Sequence, residues 1–239
     1  PPRPLAARIL LVGAGGVGAP AAWALARAGV ARLTVLDDDR VELSNLHRQI
    51  LFRDDDLGAH KAHTLAARLR ELGVDASSVD GRALPETALD LVAAADVVID
   101  GVDNFPSRFL LADAAWLTRT PIVHAAAVRW HATMWVSSAE GRPCYRCLFE
   151  DVPRGPAPDC ASAGVVGPVC GVVGGLAADA ALGLLDGREG LAGTITTLDG
   201  RAGELRRVAV RPRADCPLCG TREIHGLEPS RYLGPVCDA

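Results

Sequence analysis

Lysine, aromatic side chains and long hydrophobic runs are scarce in this chain. Lys61 is the only lysine among 25 basic residues, and aromatic residues make up 4% of the sequence. The formal net charge is −4 and no stripe of basic residues stands out, which argues against nucleic acid as a partner. A lysine that persists where arginine is otherwise used suggests a position that needs a compact ammonium group.

Membrane insertion is also disfavoured. One apolar segment, residues 167–185, approaches the length of about 20 residues that crosses a bilayer. It contains Pro168, Asp179 and repeated glycines, so we predict a buried helix that begins near Pro168. Residues 1–8 contain no apolar core of a signal peptide. We therefore expect a soluble, cytoplasmic protein without a membrane partner.

The pattern of apolar segments predicts an α/β fold with a doubly wound, Rossmann-like, mostly parallel sheet. We expect antiparallel strands at its C-terminal end and one domain over residues 1–220, followed by a polar tail at 221–239. The predicted strands are residues 8–13, 33–36, 97–99, 121–125, 132–136, 194–198 and 205–210; the predicted helices are 16–28, 60–72, 86–94, 107–117 and 167–185. Residues 41–52 read as partly helical and 140–164 as a long loop.

A glycine-rich turn follows the first predicted strand. It contains Gly13, Gly15, Gly16 and Gly18, where the backbone can approach phosphates at the N-terminus of the next helix. Asp37 ends the following strand, where a carboxylate can accept hydrogen bonds from ribose hydroxyls. These residues predict a site for an adenine nucleotide. They fit an NAD-dependent oxidoreductase equally well, and a tight turn without a ligand is the plainer alternative.

The next motif, Ser44-Asn45-Leu46-His47-Arg48-Gln49, favours a triphosphate over a dinucleotide. Arg48 can bind phosphate with its guanidinium fork, and Lys61 can place a compact charge on the same group. Both cations would stabilise the charge that develops when pyrophosphate is displaced. Each taken alone is more often part of a solvated helix face.

A third motif follows the strand at residues 97–99, at the end of the sheet where open α/β folds bind ligands. Asp103 is placed to hold Mg²⁺ against the phosphates, and Asn104 could donate to the nucleotide. The alternative for this Asp-Asn pair is the cap of the following helix.

Two Cys-x-x-Cys pairs predict a structural Zn²⁺ site with four thiolate ligands: Cys144, Cys147, Cys216 and Cys219. An iron–sulfur cluster or two redox pairs are the alternatives. Cys160 lies in the predicted loop before a helix, which suits a nucleophile or a sulfur-transfer thiol as well as it suits a small buried residue. Cys170 carries no motif, and we interpret it as a core residue.

Together these motifs resemble the MoeB/ThiF family, bacterial relatives of ubiquitin-activating enzymes. The resemblance covers about residues 8–220, and its motifs occur in family order. They are GAGGVG from Gly13, VLDDDRVELSNLHRQ from Val35, Lys61, VDN from Val102, PCYRCLF from Pro143, AGVVGPVCGVVGG from Ala163 and CPLCG from Cys216. As a set they are far more specific than the glycine turn alone.

The resemblance implies an adenylyltransferase that uses ATP and Mg²⁺. It implies ATP binding by Gly16, Asp37, Ser44, Asn45, Arg48, Lys61, Asp103 and Asn104, and zinc at the four paired cysteines. The implied substrate is the Gly-Gly C-terminus of a ubiquitin-like sulfur carrier similar to ThiS or MoaD. A homodimer and a separate sulfur donor are implied as well. Cys160 matches the position at which some members keep a thiol that bonds the carrier.

Three other hypotheses remain at this point. A related enzyme could adenylate a different carboxylate, such as a peptide C-terminus or a modified nucleoside in tRNA. An NAD-dependent oxidoreductase fits Gly13 to Asp37 but leaves Arg48, Lys61 and the cysteine pairs without a use. The third hypothesis is a scaffold that binds a carrier without activating it, and one difference from the family supports it. Family members usually have a helix with an Arg-Tyr-x-Arg-Gln-like motif before the first strand, whereas seven residues precede Arg8 here.

Overall fold

The computed structural model describes residues 6–153 and 163–233 of the 239-residue chain. The strands are β1 Arg8–Val12, β2 Arg32–Asp37, β3 Asp75–Asp80, β4 Val97–Asp100, β5 Ile122–Val128, β6 His131–Ser137, β7 Thr194–Asp199 and β8 Glu204–Ala209. The α-helices are α1 Gly18–Arg27, α2 Lys61–Glu71, α3 Ala88–Ala93, α4 Phe105–Thr118, α5 Tyr145–Leu148 and α6 Gly167–Leu185.

The eight strands form one sheet in the order β3-β2-β1-β4-β5-β6-β7-β8. The first five in this order pair in parallel, and β5 to β8 pair in antiparallel. The fold is therefore a mixed α/β Rossmann-like sheet, and the predicted antiparallel end already begins at β6. The direction of strand order reverses between β1 and β4, so the loops that follow these two strands leave toward opposite faces of the sheet. The crevice between these loops is where such folds bind ligands.

Helices cover the sheet on both faces. Apolar side chains of α1, α2 and α6 form one buried cluster, and those of α3 and α4 form a second cluster on the opposite face. The strands between them are buried on both faces: in β4, Ile99 belongs to the first cluster and Val98 to the second, and neither has exposed surface. Such burial explains why their sequences are continuous apolar runs instead of alternating patterns.

Helix α6 has the bounds that the sequence predicts. Its length and mean hydropathy of 1.7 would suffice to cross a bilayer, but half of it is buried inside the protein. It packs closely on α1, because a Cβ added at Gly174 would lie 2.6 Å from the Val17 carbonyl oxygen. Burial of Val169 and Val173 against the sheet contributes about 2 kcal/mol for each side chain.

The structure corrects two local predictions and refines a third. Residues 75–80 form β3, which the sequence did not indicate because Asp75-Ala-Ser-Ser-Val-Asp80 is polar and only Ala76 is buried, as suits the outermost strand. The predicted loop at 140–164 contains the short helix α5. The segment 41–52, expected to be partly helical, contains one 3₁₀ turn, Leu43–Asn45.

Candidate functional site

A cavity of about 390 Å³ opens at the carboxyl ends of β1, β2 and β4. Most of the candidate nucleotide residues line it: Gly13, Gly15, Gly16, Asp37, Asn45, Arg48, Lys61, Asp103 and Asn104. Ser44 and Gly18 are not part of its lining. The loops after neighbouring parallel strands meet at one edge of the sheet, which explains how motifs spread over 90 residues reach one crevice.

The glycine turn is held by close backbone contacts. Gly13 has a φ of 91°, and its N–H donates to the Leu36 carbonyl at 2.8 Å. A Cβ at Gly13 would lie 2.9 Å from the backbone of Gly101, and one at Gly18 would lie 1.8 Å from the Gly13 carbonyl oxygen. Gly18 therefore serves the shape of the turn, while Gly15 and Gly16 face the cavity.

We expect Gly18→Ala to lower the free energy of unfolding by about 3 kcal/mol or more, since backbone atoms would have to move to admit the methyl group. Gly15→Ala is the matched control, because its Cβ would meet only Gln49 Nε2, at 3.7 Å. Urea unfolding of the two variants measures the difference. Equal stability of the two would show that the turn is not packed as described.

Asp37 fastens the turn to the end of β2. Its Oδ2 accepts from Ala14 N at 2.6 Å, and its Oδ1 accepts from Asp39 N at 2.9 Å. Burial raises the pKa of this carboxyl, and the two backbone hydrogen bonds oppose that rise. A carboxylate offers about four lone-pair positions, so acceptors remain for ribose hydroxyls at the cavity wall.

The two candidate phosphate-binding cations are each held by a neighbour. Arg48 Nη2 donates to Asn45 Oδ1 at 2.7 Å, and its Nη1 donates to the Ser44 carbonyl at 3.2 Å. Lys61 is 4% exposed at the start of α2, with Nζ 2.8 Å from Asp39 Oδ2. Ser44 thus contributes a carbonyl that orients Arg48, while its hydroxyl donates to Glu42 at 3.2 Å.

Asp103 and Asn104 have different surroundings. Asn104 caps α4, since its Oδ1 accepts from Ser107 N at 2.9 Å, and its side chain also borders the cavity. The alternative of a helix cap therefore holds for Asn104. Asp103 is exposed at the rim, and among residues 6–153 and 163–233 its carboxylate accepts no hydrogen bond. An available carboxylate near the two candidate phosphate-binding cations fits the oxygen ligands that Mg²⁺ takes.

The sequence did not indicate the positions or contacts of several polar residues that lie at the cavity. Arg82, which pairs with Asp38, follows the unpredicted strand β3. Gln49 is 2% exposed, and its Oε1 has no hydrogen-bond partner within the described part of the chain. Asp39 is one of three consecutive aspartates, and the sequence does not indicate which of the three pairs with Lys61. The motif Ser44 to Gln49 already contained Gln49, so the signal for that residue was present.

The four paired cysteines converge. Their Sγ atoms all lie within 4.8 Å of one another, with Cys144 to Cys216 at 3.5 Å and Cys147 to Cys219 at 3.3 Å. A tetrahedral zinc ion with Zn–S bonds of about 2.3 Å sets sulfur atoms about 3.8 Å apart. The donor set therefore fits zinc. Arg213 N also donates to Cys147 Sγ at 3.4 Å, a contact that stabilises a thiolate.

Of the two other cysteines considered above, Cys160 and Cys170, the structure describes only Cys170. Cys160 lies outside the described residues. Cys170 is buried in α6, as expected of a core residue, but it also borders the cavity. A Cβ at Gly16 would lie 3.2 Å from its Sγ, so Cys170 packs directly beneath the glycine turn.

Known proteins resemble this chain in sequence and in fold. Residues 4–218 match the model of the ThiF family. The chain is 42% identical to the SAMP-activating enzyme E1 of Haloferax volcanii, over 97% of this chain and 87% of that protein. It is 41% identical to the sulfur carrier protein ThiS adenylyltransferase of Escherichia coli K12, over 90% and 87% of the two chains.

Among solved structures, the crystal structure of E. coli MccB with ATP has the same fold, with a TM-score of 0.79. The match covers 90% of this chain and 67% of the MccB chain. At 19% identity, this likeness concerns the fold alone.

Proposed function

Because the chain belongs to the ThiF family, we propose that it is an ATP-dependent adenylyltransferase that activates the C-terminal glycine of a ubiquitin-like sulfur carrier. One observation carries this proposal beyond family membership. Arg48, Lys61 and Asp103 border the same cavity as the glycine turn, so two cations and a carboxylate suited to Mg²⁺ would face a triphosphate bound there. A dinucleotide oxidoreductase has no use for this combination.

The proposed reaction needs positioning more than proton transfer. A C-terminal carboxylate is ionised near pH 7, so its oxygen can attack the α-phosphorus of ATP without a general base. A bond forms between the carboxylate oxygen and the α-phosphorus. The bond from the α-phosphorus to the oxygen that bridges it to the β-phosphorus breaks, and pyrophosphate leaves with that electron pair. Arg48 and Lys61 stabilise the charge on the phosphates, and Asp37 orients the ribose. Mg²⁺, held by Asp103, would supply further positive charge to the phosphate oxygens.

The finer parts of the proposal follow from the resemblance. The acyl-adenylate would pass to a separate sulfur donor and yield a thiocarboxylate on the carrier. We assign residues 1–220 to one ThiF-type domain, residues 221–239 to a polar tail and the enzyme to the cytoplasm. Zn²⁺ at the four cysteines would be structural. For Cys160, a covalent link to the carrier is proposed on the resemblance alone.

A homodimer is proposed as well. Leu43, Ile50 and Val172 are large apolar side chains that are 70%, 64% and 49% exposed. The segment that carries Leu43 and Ile50 meets the start of α6, because a Cβ at Gly167 would lie 2.7 Å from the His47 carbonyl oxygen. These side chains therefore offer neighbouring apolar surface that a second copy could cover.

ATP–pyrophosphate exchange tests the proposed function directly. We expect exchange only when a carrier with a C-terminal Gly-Gly is added, and none with the same carrier lacking its last glycine. Asp103→Ala should lower the rate by about a hundredfold, the scale for loss of one electrostatic contact to the reacting phosphates. Exchange that responds to a free peptide but to no carrier would replace the proposed substrate, and undiminished exchange by Asp103→Ala would reject the role of Asp103.

A further inference from the structure

A buried cluster of charged side chains lies beneath the loop that carries Asp103. Asp100 is 0% exposed, His124 1% and Arg108 8%. Asp100 Oδ2 lies 2.6 Å from His124 Nδ1 and 3.3 Å from Arg108 Nε. Because a carboxylate only accepts, His124 donates from Nδ1. Burial opposes the charge on Asp100, yet Arg108 and His124 hold its pKa below the usual value.

The cluster holds both backbone groups of the residue before Asp103. Asp100 Oδ1 accepts from Val102 N at 2.9 Å, and Arg108 Nη2 donates to the Val102 carbonyl. The same Nη2 donates to the Ala125 carbonyl in β5 at 3.0 Å. The loop is thereby fixed to α4, through Arg108, and to the neighbouring strand. A planar guanidinium makes these contacts at once, whereas a lysine ammonium on a flexible stem does not reproduce the fork.

Stability alone does not explain such a cluster. Burying ion pairs costs desolvation, and apolar side chains of similar volume often serve a fold equally well or better. We infer that Arg108 is a positioning residue, which fixes the Asp100–Asp103 loop so that the Asp103 carboxylate faces the nucleotide cavity. This role rests on the proposed function, because it acts through the binding of Mg·ATP by Asp103.

A double-mutant cycle separates this role from its alternatives. Arg108→Lys, Asp103→Asn and the double variant are compared by equilibrium dialysis of ATP, with Mg²⁺ and with EDTA. We expect Arg108→Lys to weaken binding about tenfold with Mg²⁺ and by less than about twofold in EDTA. In the Asp103→Asn background the same change should have no further effect. Arg108→Gln, whose head group carries no charge, should give the same selective loss.

Arg68→Lys is the control. Arg68 Nη2 binds both carboxylate oxygens of Asp56, at 3.2 and 3.0 Å, on the opposite side of the sheet from α4. We expect the Arg68→Lys variant to bind ATP as the unaltered chain does. Melting curves check that every variant is folded. Equal weakening with and without Mg²⁺, or additive effects in the cycle, would overturn the inference while leaving the proposed function intact. Failure of the unaltered chain to bind ATP would reject both.

Discussion

Lys61→Ala is expected to lower the rate of carrier-dependent ATP–pyrophosphate exchange by about a hundredfold to a thousandfold. Lys61 is buried at the cavity wall with its Nζ 2.8 Å from Asp39 Oδ2. Removing the ammonium takes a positive charge from the phosphates and leaves the Asp39 carboxylate unpaired beside them. Both effects disfavour the additional negative charge of the transition state, so the loss should appear mainly in kcat.

Two controls sharpen this prediction. Lys61→Arg keeps the charge but needs more room than a site with 4% exposure offers, so we expect partial recovery of the rate at most. His63→Ala alters an exposed side chain of the same helix and should leave the rate unchanged. Full activity of Lys61→Ala would mean that the positive charge at this wall is not used in the reaction.

Loss of the four-cysteine site should have the second large effect, this time on stability. We expect Cys216→Ser to reduce bound zinc from one ion per chain to near zero and to lower the melting temperature by roughly 10 °C. The cluster joins α5 to the segment around Cys216. Arg146, between two of the cysteines, reaches Asp113 of α4 at 2.8 and 2.9 Å and links the cluster to the core.

Metal analysis together with calorimetry provides the measurement. Cys170→Ala replaces a buried cysteine outside the cluster, and zinc content should be unchanged in that variant. A chelator strong enough to remove zinc should bring the unaltered chain down to the melting temperature of Cys216→Ser. Iron or labile sulfide in the purified protein, or a melting temperature unaffected by Cys216→Ser, would contradict the structural zinc site.

The sequence predicted what depends on local patterns. Buried strands such as β4 are short runs of branched apolar residues, and α6 is a long apolar run with Pro168 in its first turn, so the local pattern located both. Strand β3 was missed because an edge strand needs few apolar side chains. Its pairing with β2 depends on backbone hydrogen bonds that any polar residue can supply.

Among the site residues, too, the sequence predicted those that belong to a local motif and missed those that do not. Arg48, Lys61 and Asp103 follow recognisable motifs, and the fold brings all three to one cavity. Arg82 and Arg108 become visible only when their strands and helices are placed, because neither lies in a motif that marks a charged side chain as internal. The buried position of Arg108 could not be read from residues 105–118, whose other polar members include a fully buried Asp113 with a different partner, Arg146.

A crystal structure with magnesium and a non-hydrolysable ATP analogue tests the central claim most directly. The account predicts triphosphate oxygens within hydrogen-bond distance of the Arg48 guanidinium and of Lys61 Nζ. It also predicts the metal on the Asp103 carboxylate and the ribose on Asp37. A nucleotide bound elsewhere, or one bound in this cavity with Arg48, Lys61 and Asp103 turned away from its phosphates, would contradict the claim.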